Sequence, residues 1–315
     1  MFRWLGKTRH PALVFALAMT VVSPGHAEIY KWVDENGEVH FSDRKDHRLE
    51  QEVVNVRPSP SEWSRFDIKV ETVDVELSDA EHQQIVDGVN SVYEFYDRVM
   101  SFDMYQTVPV NILIFKGARE YQNYLAGKGG GLAVASYGVY MPREHQIAVY
   151  MQEDKPRTFR TIKHEVSHAV LHSLVPYAPS WLNEGLAEQM EMLGRDESGL
   201  YFEHHPENRW VVAKAREQGR LAAIGEFLKL PSIKWRHSDF SGSSSVRAQA
   251  GQFVYFLLAK PTRRNFVVRL MHNFDRGDRT LSYYLVDEHY LGGVAMLNSD
   301  WARWVSDQGE GIIRL

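Results

Sequence analysis

The feature that most restricts what this chain can fold into is the pentapeptide His164-Glu165-Val166-Ser167-His168, which has the form H-E-x-x-H. Four residues advance an α-helix by about 400°, so His168 would lie about 40° around the axis from His164 and about 6 Å along it. On a helix, both imidazoles can therefore bind a single metal ion. Glu165 would project about 100° from His164, beside the ion and within reach of a water molecule bound to it.

The surrounding residues favour the helix that this spacing requires. Pro156 suits a first helical turn, and Pro176 would stop the helix. Apolar residues recur at helical spacing between the two prolines and would form a buried face behind the histidines. These residues are Ile162, Val166, Ala169, Val170 and Leu174.

The best candidate for a third ligand is Glu184, which follows His168 after fifteen intervening residues in the segment W-L-N-E-G-L-A-E. The segment predicts a second helix that starts at Pro179-Ser180, carries an apolar stripe through Leu193 and ends at Gly194. Two antiparallel helices joined by a short turn would bring Glu184 to the histidine pair. Two His and one Glu leave a tetrahedral zinc one open position, as in a catalytic site. His172 lies about 12 Å along the helix from His164 and cannot join the same ligand set.

Together, H-E-V-S-H and W-L-N-E-G-L-A-E resemble the gluzincin metallopeptidases, most closely the peptidase MA-like branch, in which a P-x-W-L-x-E-G-x-A segment follows the histidine motif. The resemblance extends from about Phe66 to Val305. It implies an α+β fold with a zincin-like two-lobed domain, in which a mixed sheet with an edge strand and the zinc helix precede a helical C-terminal lobe. It also implies peptide hydrolysis by a zinc-activated water, with Glu165 as the general base and His164, His168 and Glu184 as zinc ligands. A metzincin is disfavoured, because that pattern would have Gly and His where this chain has Leu171 and Leu174.

The resemblance also suggests supporting residues. In gluzincins a carboxylate one turn beyond the glutamate ligand often accepts the second ring N–H of a zinc-bound imidazole, and Glu188 holds that position. The alternative is that Glu188 is a solvated side chain on the helix surface. A tyrosine commonly precedes an A-Q segment in this family, but here Arg247 takes its place. Arg247 is therefore one candidate for stabilising the oxyanion, with Tyr137, Tyr140 and Tyr255 as rivals.

Residues 1–27 have the pattern of a secretory signal peptide, with three basic residues, an apolar stretch from Ala12 to Val22, and Gly25-His26-Ala27 as the cleavage site. The apolar stretch is short for a membrane anchor, so we expect no stable membrane span after cleavage. The chain contains no cysteine, which excludes both disulfides and lipid attachment through a lipobox. A net charge of -5 without a basic tract gives no reason to expect nucleic acid as a partner.

Residues 28–56 predict a small β module. Ile29 to Val33 and Glu38 to Phe41 flank the strong turn Asp34-Glu35-Asn36-Gly37. The segment resembles a short N-terminal module of unknown function on exported proteins of Gram-negative bacteria, which favours a periplasmic location. Tyr30 and Trp32 either bind a cell-envelope ligand or pack the hairpin. Residues 57–65 follow as a linker rich in Pro and Ser, and residues 66–315 form the metallopeptidase domain.

Within that domain, Ser78 and Glu81 form a capping box, and Val108 to Phe115 predict a buried strand. Tyr137 to Met141 and Gln146 to Met151 predict a hairpin whose edge strand could bind an extended peptide. The C-terminal half is predicted to be mostly helical. His204 and His205 have no partner at helical spacing, so we interpret them as a surface pair.

The sequence therefore predicts a periplasmic zinc peptidase that acts on a peptide or protein substrate. The competing hypothesis is a non-catalytic protein of the cell envelope that binds or scaffolds and keeps a zinc site. Glu165 disfavours this alternative, because a structural zinc needs no base at that position.

Overall fold

The computed structural model describes residues 29–33, 39–42, 52–54, 68–102, 104, 108–128, 136–231, 235, 245–307 and 311–315. The chain divides into two compact units, Met1–Ser61 and Glu62–Leu315. The division falls inside the segment 57–65, which the sequence suggested as a linker. The expected signal peptide lies outside the described residues.

The first unit contains a three-stranded antiparallel sheet with the order β2-β1-β3. Its strands are β1 (Ile29–Val33), β2 (Val39–Ser42) and β3 (Glu52–Val54). Val33 pairs with Val39 and Tyr30 with Ser42, which confirms the predicted pairing of the first two strands. The third strand was not predicted. The turn 34–37 and the side chains of Tyr30 and Trp32 lie outside the described residues.

The second unit begins with a mixed four-stranded sheet, in the order β4-β5-β7-β6. These strands are β4 (Ile68–Val73), β5 (Val110–Phe115), β6 (Gly138–Met141) and β7 (Gln146–Tyr150). β5 is parallel to both of its neighbours, and most of its residues are buried, which explains its continuous apolar sequence. β6 and β7 form the predicted antiparallel hairpin, and β6 lies at an edge of the sheet.

Four helices surround or follow this sheet in the first half of the unit. The helix α1 begins after Ser78, whose side chain forms the predicted capping box with Glu81. α3 has Pro156 in its first turn and ends before Pro176, as the sequence predicted. The four helices are α1 (Asp79–Glu94), which continues as a π-helical turn (Phe95–Val99), α2 (Ala118–Gly127), α3 (Lys155–Leu174) and α4 (Ser180–Glu191).

One element of this region differs from the sequence prediction. α4 ends at Glu191, and Leu193 belongs to a strand rather than to the last turn of the helix. β8 (Leu193–Asp196) pairs with β9 (Gly199–Phe202), which pairs in turn with β10 (Ile313–Arg314). Gly199 has a φ of 116°, so a turn that favours glycine reverses the chain between β8 and β9.

The C-terminal half is mostly helical, as predicted. Its helices are α5 (Pro206–Glu217), α6 (Ile224–Phe227), α7 (Ser245–Leu258), α8 (Pro261–Asp275), α9 (Ser282–His289) and α10 (Gly293–Ser306). Among the described residues, no helix is both long enough and apolar enough to cross a membrane.

One large hydrophobic core joins the sheet to these helices. It includes Ile112 of β5, Val166 of α3, Leu186 of α4, Phe253 of α7 and Trp301 of α10. α4 and α7 approach each other very closely, because a Cβ atom on Gly185 would lie 2.4 Å from Cγ2 of Val254 and 2.8 Å from the carbonyl oxygen of Ala250. The core thus fixes α3, α4 and α7 against one another, and the second unit has a mixed α+β architecture.

Candidate metal centre

The structure brings together the three side chains that the sequence predicted as ligands. His164 and His168 lie one turn apart on α3, with their ring centroids 4.8 Å from each other. Nε2 of His164 is 4.0 Å from Oε2 of Glu184, and Nε2 of His168 is 3.9 Å from Oε1 of the same carboxylate. The Glu184 carboxylate on α4 therefore faces both imidazoles of α3.

Hydrogen bonds on the far side of each ring indicate which nitrogen carries the proton. Nδ1 of His164 lies 2.8 Å from Oε1 of Glu191, and Nδ1 of His168 lies 3.1 Å from Oδ1 of Asn183. A carboxylate and an amide oxygen only accept hydrogen bonds, so both imidazoles donate from Nδ1. In the neutral form of each ring, which a metal ion requires, the Nε2 atom then has a free lone pair that faces Glu184. This is the tautomer that binds a metal through Nε2.

The residues present fit a zinc ion. The atoms that converge are two imidazole nitrogens and a carboxylate oxygen, all within 4.8 Å of one another, and all of them are electron-pair donors. Oε2 of Glu184 is buried and accepts no hydrogen bond of good geometry from the described residues, although Nε of Arg247 lies 3.2 Å from it in an ion pair. A tetrahedral zinc with bonds of about 2.0 Å needs its ligand atoms about 3.3 Å apart, so the side chains would close inward by about half an ångström.

The charges around the centre favour a cation. Burial opposes the charged form of Glu184, but Arg247 and the two imidazoles hold the pKa of this carboxyl below its usual value. Burial also opposes protonation of His164, yet the hydrogen bond to Glu191 and the neighbouring carboxylates raise the pKa of His164 to about 9. The carboxylates that favour a proton on this imidazole would equally favour a metal ion beside it.

Glu165 lies on the side of α3 that faces the edge strand. It is buried, and it belongs to neither of the two groups of described residues whose atoms could jointly hold an ion. These groups are His164, His168 and Glu184, and His164, Glu188 and Glu191. A Cβ atom on Gly138 of β6 would lie 3.1 Å from Cγ of Glu165 and 2.8 Å from Cγ2 of Thr161. The absence of a side chain at Gly138 therefore allows the edge strand to pass directly against Glu165.

The role predicted for Glu188 needs correction. The acceptor for the second ring N–H of His164 is Glu191, one turn further along α4, and the acceptor for His168 is Asn183. Glu188 is buried, and its Oε2 accepts a hydrogen bond of 2.7 Å from Nδ2 of Asn208 instead. It is not a solvated surface side chain either. Burial and the nearby Glu191 raise the pKa of Glu188.

The four oxyanion candidates differ in their surroundings. Nε of Arg247 lies 3.2 Å from Oε2 of Glu184 and 4.0 Å from Oε1 of Glu188. Tyr255 is buried and its hydroxyl donates to the carbonyl oxygen of Gly311, so this hydroxyl is already engaged.

The other two tyrosines lie on or beside β6. The ring of Tyr140 contacts that of His172, with 6.0 Å between centroids, and Tyr137 is half exposed beneath the guanidinium of Arg157. Of the four candidates, Arg247 is the one that the described contacts place against a predicted ligand.

The interpretation of His204 and His205 as a surface pair is wrong. The His204 ring packs on Tyr255 at 4.6 Å between centroids, and burial lowers the pKa of His204 to about 4. His205 is buried, and its Nε2 lies 3.5 Å from Oε2 of Glu191. Its Nδ1 accepts a hydrogen bond from the backbone N–H of Asn208 and so caps α5. The helix-start pattern His205-Pro206 was a local signal for this cap.

Comparison with known families gives a match in the N-terminal part of the chain. Residues 15–65 match a family described as a domain of unknown function, DUF4124. The matched segment includes the three-stranded sheet of the first unit and does not extend to the candidate metal centre. A search of curated proteins found none that matches the chain.

Proposed function

We propose that this chain is a zinc-dependent peptidase of the gluzincin type, with a zincin-like two-lobed domain. The observation that carries the proposal is the convergence of two imidazole lone pairs and a buried carboxylate oxygen, with Glu165 beside them. Such a three-residue set leaves a coordination position for water, as catalytic zinc sites do. The signal-peptide pattern adds a periplasmic location to the proposal.

The residues of the chain would divide the chemistry as follows. His164, His168 and Glu184 would hold the ion, and Glu191 and Asn183 would keep the imidazoles in the required tautomer. When bound, zinc would lower the pKa of a coordinated water and polarise the carbonyl of the substrate. Glu165 would take the proton of the attacking water and return it to the leaving amine. Arg247 would steady Glu184 through their ion pair.

The edge strand provides a way to hold a peptide. β6 is hydrogen-bonded to β7 along one side and lies at the edge of the sheet, so an extended substrate could add to it as one more strand. Main-chain hydrogen bonds of this kind depend little on sequence. Because Gly138 lets β6 pass against Glu165, a peptide bound along the strand would lie close to the base.

The competing function is that of a non-catalytic envelope protein with a zinc site. It requires no carboxylate at position 165, whereas this chain keeps Glu165 buried beside the candidate ligands and against the edge strand. The peptidase proposal accounts for this residue, and the scaffold does not.

The test measures the metal content and the peptide cleavage of the purified protein that contains both units. We expect about one zinc per chain and cleavage of an unstructured peptide library that stops when a chelator is added. Glu165→Gln should keep the zinc and lose at least about 100-fold in kcat/KM, because only the base is removed.

His172→Gln is a suitable control. His172 is exposed on the same helix, two turns from His164, and should be replaceable without effect on zinc or cleavage. Absence of zinc after reconstitution would refute the metal centre. Zinc without cleavage of any peptide would favour the scaffold instead.

A further inference from the structure

One carboxylate connects the candidate centre to a helix outside it. Oε1 of Glu191 accepts the hydrogen bond from Nδ1 of His164 at 2.8 Å, while Oε2 of the same residue lies 3.5 Å from Nε2 of His205. His205 belongs to the segment between β9 and α5, so it comes from a different part of the chain. Glu191 is thus held between the candidate ligand of α3 and the first residue before α5.

The cap of α5 fixes the orientation of the His205 ring. Its Nδ1 accepts the backbone N–H of Asn208 at 3.3 Å, so Nδ1 carries no proton in this arrangement. The proton then lies on Nε2, which faces Oε2 of Glu191 at 3.5 Å and Oε2 of Glu188 at 3.7 Å. A flip of the ring would lose both the cap and the contact with the two carboxylates.

A second contact from the same turn supports this arrangement. Asn208 donates from Nδ2 to Glu188 at 2.7 Å, and both residues are buried. Gly251 of α7 packs over the pair, because a Cβ atom there would lie 2.6 Å from Nδ2 of Asn208. The N-terminus of α5 therefore places N–H groups against two carboxylates of α4, buried Glu188 and partly buried Glu191, that would otherwise repel each other.

We propose that His205 is a positioning residue that couples the metal centre to the N-terminus of α5. Its Nε2–H holds Glu191 in the orientation that aims His164, while its Nδ1 caps the helix. Metal binding at Nε2 of His164 makes Nδ1–H a stronger donor to Glu191, which in turn favours the ordered cap. Because coupling between two equilibria is reciprocal, the cap then strengthens metal binding by the same factor. This inference rests on the proposed zinc site.

Two substitutions separate the two contacts of the imidazole. His205→Asn keeps a good N-cap residue for the Asn208 N–H, but its side chain is too short to reach Glu191 as well. His205→Ala removes both contacts. A positioning role predicts that both variants lose zinc affinity, by about 10-fold, the lower end of the effect of residues that orient ligands. If His205 only caps α5, zinc affinity should fall in His205→Ala and stay at the wild-type value in His205→Asn.

The experiment measures zinc affinity by chelator competition and the visible spectrum of the Co²⁺-loaded protein, which reports the geometry at the ligands. It also follows hydrogen exchange of the Asn208 and Arg209 amides with and without zinc. In the wild type, zinc should slow this exchange, and in His205→Asn the effect of zinc should disappear. His204→Gln, next along the chain but outside the relay, should keep wild-type zinc affinity.

The results that would overturn this inference differ from those that would overturn the proposed function. Wild-type affinity and spectrum in a folded His205→Asn would overturn the positioning role while leaving the zinc site intact. A double variant with Glu191→Gln tests the same relay, because the two losses should not add if the residues act through one contact. Additive losses would also overturn it. A wild-type protein that binds no zinc would refute the centre itself and this inference with it.

Discussion

The close contact between α4 and α7 makes the substitution Gly185→Ala informative, because it tests the packing that holds the candidate centre. The added Cβ would lie 2.4 Å from Cγ2 of Val254 and 2.8 Å from the carbonyl oxygen of Ala250. The Val254 side chain can rotate, but a backbone carbonyl cannot, so α7 must move away. Such overpacking costs about 1–3 kcal/mol, and the rigid carbonyl puts this case in the upper half of that range, at about 2–3 kcal/mol. The better helix propensity of alanine offsets about 1 kcal/mol of this cost.

We therefore expect Gly185→Ala to lower the free energy of unfolding by about 1–2 kcal/mol. For a domain of this size that corresponds to a fall in Tm of about 2–8 °C, measurable by circular dichroism. Zinc affinity should fall as well, because Glu184 lies on α4 and its partner Arg247 lies on α7.

Gly127→Ala provides the matched control. Gly127 is the last residue of α2, and a Cβ atom there would meet nothing within 4 Å. This substitution should leave stability unchanged or raise it by up to about 1 kcal/mol. Equal stability of the two variants would refute the close approach of α4 to α7.

Two further substitutions test the role of the edge strand and the loss of stability at acidic pH. Gly138→Ala should reduce kcat/KM by up to about 100-fold with zinc content unchanged, because its Cβ would press on Glu165 and Thr161; unaltered cleavage would separate β6 from the site. His204 has a pKa of about 4 in the fold, below the value of about 6.5 for an unfolded chain, so the unfolded state takes up the proton first as the pH falls. As the pH falls from about 6.5 to about 4, the free energy of unfolding of the wild type should therefore fall by about 1–2 kcal/mol more than that of His204→Phe. Denaturant unfolding at a series of pH values measures this difference. Profiles that run parallel for the two proteins would contradict the prediction.

The sequence predicts the elements around the candidate centre where local patterns are strong. The i, i+4 histidines and the apolar stripe of α3 need only helical geometry, and the β6–β7 hairpin follows from two short apolar runs around a turn. The apolar stripe of α4 wrongly predicted that the helix continues through Leu193, because the spacing of Leu193 continues the helical period. The competing signal was the turn ending in Gly199, which reverses the chain into β9.

The partners of the histidines were harder to predict, because they depend on how the helices cross. Glu188 and Glu191 both lie near the face of Glu184, one and two turns along α4, and helical geometry alone gives no reason to prefer Glu191. The packing of α4 against α3 brings Glu191 to His164. His205 reaches Glu191 from beyond a β-hairpin, and no periodic pattern links residues in that arrangement.

The shared core also determines how substitutions far from the centre would affect a cell. Because the same apolar cluster contains Ile112 near the sheet, Leu186 beside the candidate ligand and Trp301 near the C-terminus, these regions depend on one another for stability. A loss of 1–2 kcal/mol at any of them, on the order typical of core substitutions, would mainly reduce the number of folded molecules. Its effect would be seen mainly in protein abundance, except where the substitution moves α4 or α7 and so disturbs the residues that would bind the metal.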